Sequence, residues 1–205
     1  MPTEKTIERL HGKATENPFV QGLLGEMYLQ GKLVDISLEK AEGYFKEALE
    51  TFEEDVYHIE KPEKGMDFTS YLEYRIGKHY ARGWGTEYDP EVAADWFAAS
   101  ETGYAAYSLG NLYFAGEGVE QNYEKAFRLY EKSTQISKKH GQDSNPFATL
   151  KCAQMYELGL GTEQNSEKSK QFYEEAFEQF CRAEEKGPDA LFEYQLGNMY
   201  YRGKG

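Results

Sequence analysis

At 205 residues the chain has room for one globular domain or a short array of repeats. Aromatics make up 15% of it, too many for a disordered segment, and a formal net charge of -13 repels phosphate backbones, so no nucleic-acid binding is expected of it. Two cysteines on separate predicted helices, Cys152 and Cys181, make no disulfide framework and point to a reducing, cytoplasmic setting. The charged N-terminus holds no apolar signal region, and no apolar run nears the ~20 residues that cross a bilayer, so no membrane partner is expected.

Thr3 to Ala14 sets Ile7, Leu10, His11 and Ala14 at helical spacing. Then comes Leu24-Gly25-Glu26-Met27-Tyr28-Leu29-Gln30-Gly31, and after it a second helical stripe with Tyr44, Phe45 and Ala48. After the polar stretch Glu53 to Ser70 the pattern returns as Ile76-Gly77-Lys78-His79-Tyr80-Ala81-Arg82-Gly83, and Asp89-Pro90 opens the next stripe, Ala94, Trp96, Phe97 and Ala98. A third copy is Leu109-Gly110-Asn111-Leu112-Tyr113-Phe114-Ala115-Gly116, with Ala126, Phe127 and Tyr130 behind it. Ile136 to Pro146 is again polar. A weaker copy comes next, Cys152-Ala153-Gln154-Met155-Tyr156-Glu157-Leu158-Gly159, with Phe172, Tyr173 and Ala176. The chain closes on Leu196-Gly197-Asn198-Met199-Tyr200-Tyr201-Arg202-Gly203.

The shared pattern is L-G-x-x-Y-x-x-G. Leu and Tyr, four apart, share one helix face. A glycine between them costs ~1 kcal/mol in a helix, so its recurrence implies close approach by a neighbouring helix. The last glycine suits a left-handed helix end. A second loop glycine often comes two residues later, as at Gly85, Gly118, Gly161 and Gly205. Asp89 with Pro90 reads as a cap and first helical position, and Asn122 and Asn165 or Ser166 take the capping role elsewhere.

These residues resemble the Sel1-like repeat family, relatives of the tetratricopeptide repeats. The match is fullest over residues 104 to 132, with Tyr107, Leu109, Gly110, Tyr113, Gly116, Gly118, Val119, Lys125, Ala126, Tyr130 and Lys132. The resemblance implies an all-α fold, a right-handed α-α superhelix of helix-turn-helix repeats. It divides the chain into a half unit at 1–16, units at about 17–67, 68–103, 104–144 and 145–188, and a half unit at 189–205. Three departures stand out. Cys152-Ala153 replaces Leu-Gly, Leu33 replaces a loop glycine, and the Gly (or Ala) positions are spaced by 52, 33, 43 and 44 residues. The extra residues fall after the second helices and read as longer helices with polar connections. Residues 17–52 also align without a gap on 145–180, pairing Asn17-Pro18-Phe19 with Asn145-Pro146-Phe147, as if a block had been duplicated. Both ends read as half units, so a segment of a longer repeat protein is expected.

The four histidines, His11, His58, His79 and His140, form no HxxxH pair, and no metal is expected. His79 falls where other copies carry Met27, Leu112, Met155 and Met199, a packing position. Cys152 takes a core leucine position and reads as a buried thiol. With no G-x-S-x-G, HExxH or Walker loop, neither a cofactor nor an enzyme is expected. In repeat solenoids the first helices line a concave surface. The positions flanking the Leu-Gly pair there are Arg75 and Lys78, Ser108 and Asn111, Lys151 and Gln154, Gln195 and Asn198. They form a polar ladder that contacts a protein or peptide partner, or is simply solvated. The leading expectation is an interaction scaffold. The others are an accessory repeat domain of a bacterial plasmid-mobilisation relaxase, the β-lactamase-like activity ascribed to cysteine-rich family members, and self-association through exposed repeat ends.

Overall fold

Helix-forming stretches, six of them capped at both ends, dictate the architecture. The computed structural model describes residues 4–15, 17–58, 68–139, 145–187 and 189–204. Among them are ten α-helices and no strand. These are α1 (Glu4–Ala14), α2 (Pro18–Gln30), α3 (Leu38–His58), α4 (Phe68–Tyr80), α5 (Pro90–Ala99), α6 (Gly103–Ala115), α7 (Tyr123–Lys139), α8 (Pro146–Leu158), α9 (Ser166–Lys186) and α10 (Ala190–Tyr201). They gather into two compact units, Met1–Ser100 and Glu101–Gly205. In the first, α1 precedes the hairpins α2/α3 and α4/α5. In the second, the hairpins α6/α7 and α8/α9 precede α10.

Each hairpin is built by the same hydrogen bonds. The first helix ends on a left-handed glycine at Gly31, Gly83, Gly116 and Gly159. The next N–H returns to the carbonyl five residues back, as from Trp84 to His79 (2.9 Å) and from Leu160 to Met155 (3.0 Å), which closes the helix end. The chain then turns so that the residue opening the second helix donates its N–H to the motif tyrosine's carbonyl. Ser37 does so to Tyr28, Asp89 to Tyr80, Asn122 to Tyr113 and Asn165 to Tyr156, at 2.9–3.0 Å. Their side chains also cap the second helix. Asp89 Oδ1 accepts from Glu91 and Val92, Asn122 Oδ1 from Lys125 and Asn165 Oδ1 from Lys168. Ser37 Oγ accepts from Lys40 at a longer 3.4 Å. Asn165 rather than Ser166 is therefore the cap of α9.

The motif glycine does what its recurrence implied in the first three copies. A Cβ at Gly25 would lie 2.6 Å from the Phe45 ring, at Gly77 2.7 Å from Phe97, and at Gly110 2.7 Å from Tyr130. In each case the aromatic comes twenty residues later. Ala153 keeps the same register with Tyr173, both in one buried cluster. A Cβ at Gly197 would meet nothing within 4 Å. The second loop glycine answers a different need. Cβ atoms at Gly85 and Gly161 would strike backbone, the Lys46 N at 2.3 Å and the Tyr123 carbonyl at 2.1 Å. Leu33 holds the same left-handed conformation, φ 70°, with its side chain 53% exposed.

With the hairpin geometry constant, the short repeat spacing of 33 residues goes with a short second helix. Helices α3, α7 and α9 run for 21, 17 and 21 residues where α5 has 10. The polar connections expected beyond α3 and α7 lie outside the described residues, as does His140. The duplicated block is visible in packing. Asn17 and Asn145 cap α2 and α8 ahead of a proline. Behind them Phe19 meets Phe52 and Phe147 meets Phe180, both at 5.0 Å between ring centroids. No described helix is long and apolar enough to cross a membrane.

Candidate partner-binding face

The eight ladder residues all lie on first helices, and all are half-buried. Their surroundings differ between the two units. In the first unit, α4 faces α2 through Arg75 and Lys78. The Arg75 guanidinium lies over the rings of Phe19 (5.9 Å) and Phe52 (5.5 Å). It fills space left by Gly22, whose Cβ would come within 2.5 Å of Nη2. Its Nε is buried without a hydrogen-bond partner among the described residues. Lys78 Nζ donates to Glu26 Oε1 at 3.0 Å and sits 4.8 Å from the Trp84 ring centroid. Burial holds Lys78 below the usual lysine range, Glu26 opposes this, and the positive charges of Arg75 and Arg82 add to it. Trp84 in turn stacks flat on Phe45 at 4.5 Å and carries the Arg82 guanidinium at 5.5 Å.

Beneath these cations His79 is fully buried among Phe45, Phe52 and Trp84. Its Nδ1 donates to the Trp84 carbonyl at 2.8 Å, and Nε2 is without a partner among the described residues. Burial pushes its pKa down to about 4, so the ring is neutral at physiological pH and serves as packing, as its place in the motif suggested.

In the second unit Asn111 faces inward in part, its Oδ1 accepting from the Tyr130 hydroxyl at 2.8 Å. The Lys151 ammonium lies 4.8 Å from the Phe114 ring centroid, and burial lowers its pKa. Gln154, Gln195 and Asn198 converge on one recess of about 180 Å³ between α8 and α10, with Leu150, Tyr194 and Arg202 also at its walls. Tyr173 lines it too, and its hydroxyl donates to Glu157 Oε2 at 2.6 Å while Lys204 pairs with Glu157 Oε1. These two hydrogen bonds hold the Glu157 carboxyl below its usual range. Ser108 lies half-buried on α6 outside the recess.

Sequence reasoning did not pick out Tyr173, Tyr194, Arg202, Lys204 or Glu26 as part of the face. Tyr173 read as core, and Lys204 comes to the recess only because its N–H bonds back to the Met199 carbonyl at 2.8 Å. Arg202 has a visible counterpart in Arg82, each six residues past the motif Leu or Ile. Among the described residues no group of three or more His, Cys, Asp or Glu is placed to hold a metal ion. Cys152 is buried, Cys181 is partly so, and no disulfide joins them.

Antiparallel helix pairs repeated along a chain, closed by paired glycines and zipped by an aromatic against a small residue, define the helical-hairpin repeat proteins. The Sel1 repeat model matches residues 19–50, 70–100, 103–135, 146–179 and 190–205, well over half of the sequence. The chain belongs to the Sel1 repeat family. It is 29% identical over 128 residues to the alginate biosynthesis protein AlgK of Azotobacter vinelandii, covering 61% of this chain and 24% of that protein. Among solved structures it resembles a Sel1 repeat protein from Oxalobacter formigenes, with a TM-score of 0.57, 22% identity, and coverage of 93% of this chain and 66% of that one. It also resembles c5321, a protective antigen present in uropathogenic Escherichia coli strains, with a TM-score of 0.52, 23% identity, and coverage of 92% and 34%. The chain thus spans about a quarter of the length of the curated relative.

Proposed function

We propose that the chain is a protein-interaction scaffold that takes a peptide or protein partner on the first-helix faces of its two units. The observation that carries this reading is the half-buried polar ladder, in particular the recess where Gln154, Gln195 and Asn198 meet. Side-chain amides offer both donors and acceptors, which suits hydrogen bonding to an extended peptide backbone. The aromatic faces of the second helices, by contrast, are consumed in packing between helices. Two cysteines without a disulfide between them fit a reducing, cytoplasmic setting. Scaffold rather than catalyst is the role typical of this repeat fold.

Site-specific photo-cross-linking in cells tests the face. Benzoylphenylalanine at Ser108, Gln154 or Gln195 is expected to trap the same protein. The same group at Glu50, Lys132 or Gln171, on second helices, is expected to trap none. Cross-links from the second helices alone overturn the assignment of the face, and no cross-link from either set overturns the scaffold reading.

A further inference from the structure

Within a chain of net charge -13, three cations stand in one row. Arg75 and Lys78 on α4, and Arg82 in the turn after it, are three and four residues apart, the spacing of a single helix face. Glu26 on α2 is the one carboxylate paired with them among the described residues, and it binds Lys78. Among the described residues the partners of Arg75 and Arg82 are aromatic, Phe19 and Phe52 for the first and Trp84 for the second. A guanidinium laid on a ring can turn its remaining N–H groups to a carboxylate, and the Arg82 side chain is exposed, while Arg75 is half-buried with its Nε enclosed. The seat for Arg75 is built by a second residue, since Gly22 leaves the space that Nη2 occupies. At the equivalent places of the second unit both residues differ together. There Leu150 stands at the Gly22 position of the duplicated block, and Gln195 takes the arginine's place ahead of the motif Leu.

We propose that the α4 row of the first unit is a docking site for an acidic peptide segment, with one carboxylate held by Arg75 and another by Arg82. The proposal rests on the scaffold reading and deepens it by naming the partner's chemistry. Lys78, already neutralised by Glu26, spaces the two arginines rather than recruiting the ligand. The rings beneath the guanidinium groups limit their conformations before binding, which lowers the entropy lost when the carboxylates arrive.

Fluorescence anisotropy with two labelled decapeptides tests it, one of five Gly-Glu repeats and one of five Gly-Gln repeats, in 50 mM NaCl. The Glu peptide is expected to bind at least tenfold more tightly than its uncharged counterpart. Arg75→Gln is expected to weaken it about tenfold. Arg75→Lys, which keeps the charge but loses the planar guanidinium that lies on the two rings, and Arg82→Gln, at an exposed side chain, are each expected to weaken it several-fold. Arg128→Gln, on an exposed arginine of the second unit paired with Glu124, is expected to leave it unchanged. Thermal melts of each variant separate loss of binding from loss of fold. Equal affinity for the two peptides overturns the proposal. So does an Arg128→Gln effect equal to that of Arg75→Gln, which would mean diffuse charge attraction. Either result leaves the cross-linking outcome for the first-helix faces standing on its own.

Discussion

A glycine in a helix has opposite consequences according to what lies beside it. Gly43 in α3 has nothing within 4 Å of its Cβ position, whereas a Cβ at Gly77 would meet the Phe97 ring at 2.7 Å and Trp96 Cβ at 3.2 Å. Gly43→Ala is therefore expected to stabilise the protein by up to ~1 kcal/mol through helix propensity. Gly77→Ala is expected to destabilise it by ~1–3 kcal/mol through overpacking, and urea unfolding monitored by circular dichroism reads both. His79 makes stability depend on acid. Its folded pKa of about 4 lies below the unfolded value of 6.5, so the unfolded chain binds the proton more readily. The contribution is complete above pH 6.5 and is lost as pH falls toward 4, by up to about 3 kcal/mol. His79→Met, the residue at three equivalent positions, is expected to remove that slope. Unfolding free energies of the two proteins, measured between pH 7 and 4, should change relative to one another by that amount, with the histidine protein losing more toward acid.

At the scale of elements, α2, α4 and α8 are each tied to the helix before them through the motif tyrosine. The Tyr80 hydroxyl donates to Glu53 at 2.9 Å and Tyr156 to Glu131 at 3.2 Å, with burial and the carboxylate together pushing each tyrosine's pKa up to about 12. Tyr28 instead meets His11 Nε2 at 3.1 Å, and His11 Nδ1 meets the Tyr44 hydroxyl at 2.6 Å. So α1, with Ile7 and Leu10 packed on the cluster of Leu24 and Met27, is joined to α2 as α3 is to α4. A double-mutant cycle of Tyr80→Phe with Glu53→Gln is expected to give a coupling of about 1 kcal/mol in unfolding free energy. The hairpins were legible because their signals are local, with Leu-Gly and Tyr sharing one turn and the closing glycine a few residues on. The Tyr–Glu ties were not, because the two residues sit 27 and 25 positions apart across a connection of varying length.

Over the whole molecule, the main helix contacts join neighbours in sequence within each unit, so local pattern carries most of the fold. Much of the candidate face could be found the same way, since repeat-breaking positions such as Arg75 and Gln195 are visible by comparing copies. What comparison of copies could not give was the state of each side chain. Glu26 neutralising Lys78, and Tyr130 engaging Asn111, depend on packing between helices. The charge balance has its own effect on stability. Ion pairs such as Arg128–Glu124 and Lys170–Glu174 lie on exposed side chains and contribute little, while a net charge of -13 strains the compact state by self-repulsion. Raising NaCl from 20 to 500 mM is therefore expected to increase Tm in a calorimetric scan, and a decrease would show that the ion pairs outweigh the repulsion.

Trp84 lies flat on Phe45 with Lys78 and Arg82 drawn over its ring, and the only other indole in the chain is Trp96. An indole's emission colour responds to the electric field across it, so the residue that steadies two cations is also an optical gauge of their positions. In a Trp96→Phe background, a carboxylate that draws Arg82 away from the ring should shift the emission maximum with no attached dye.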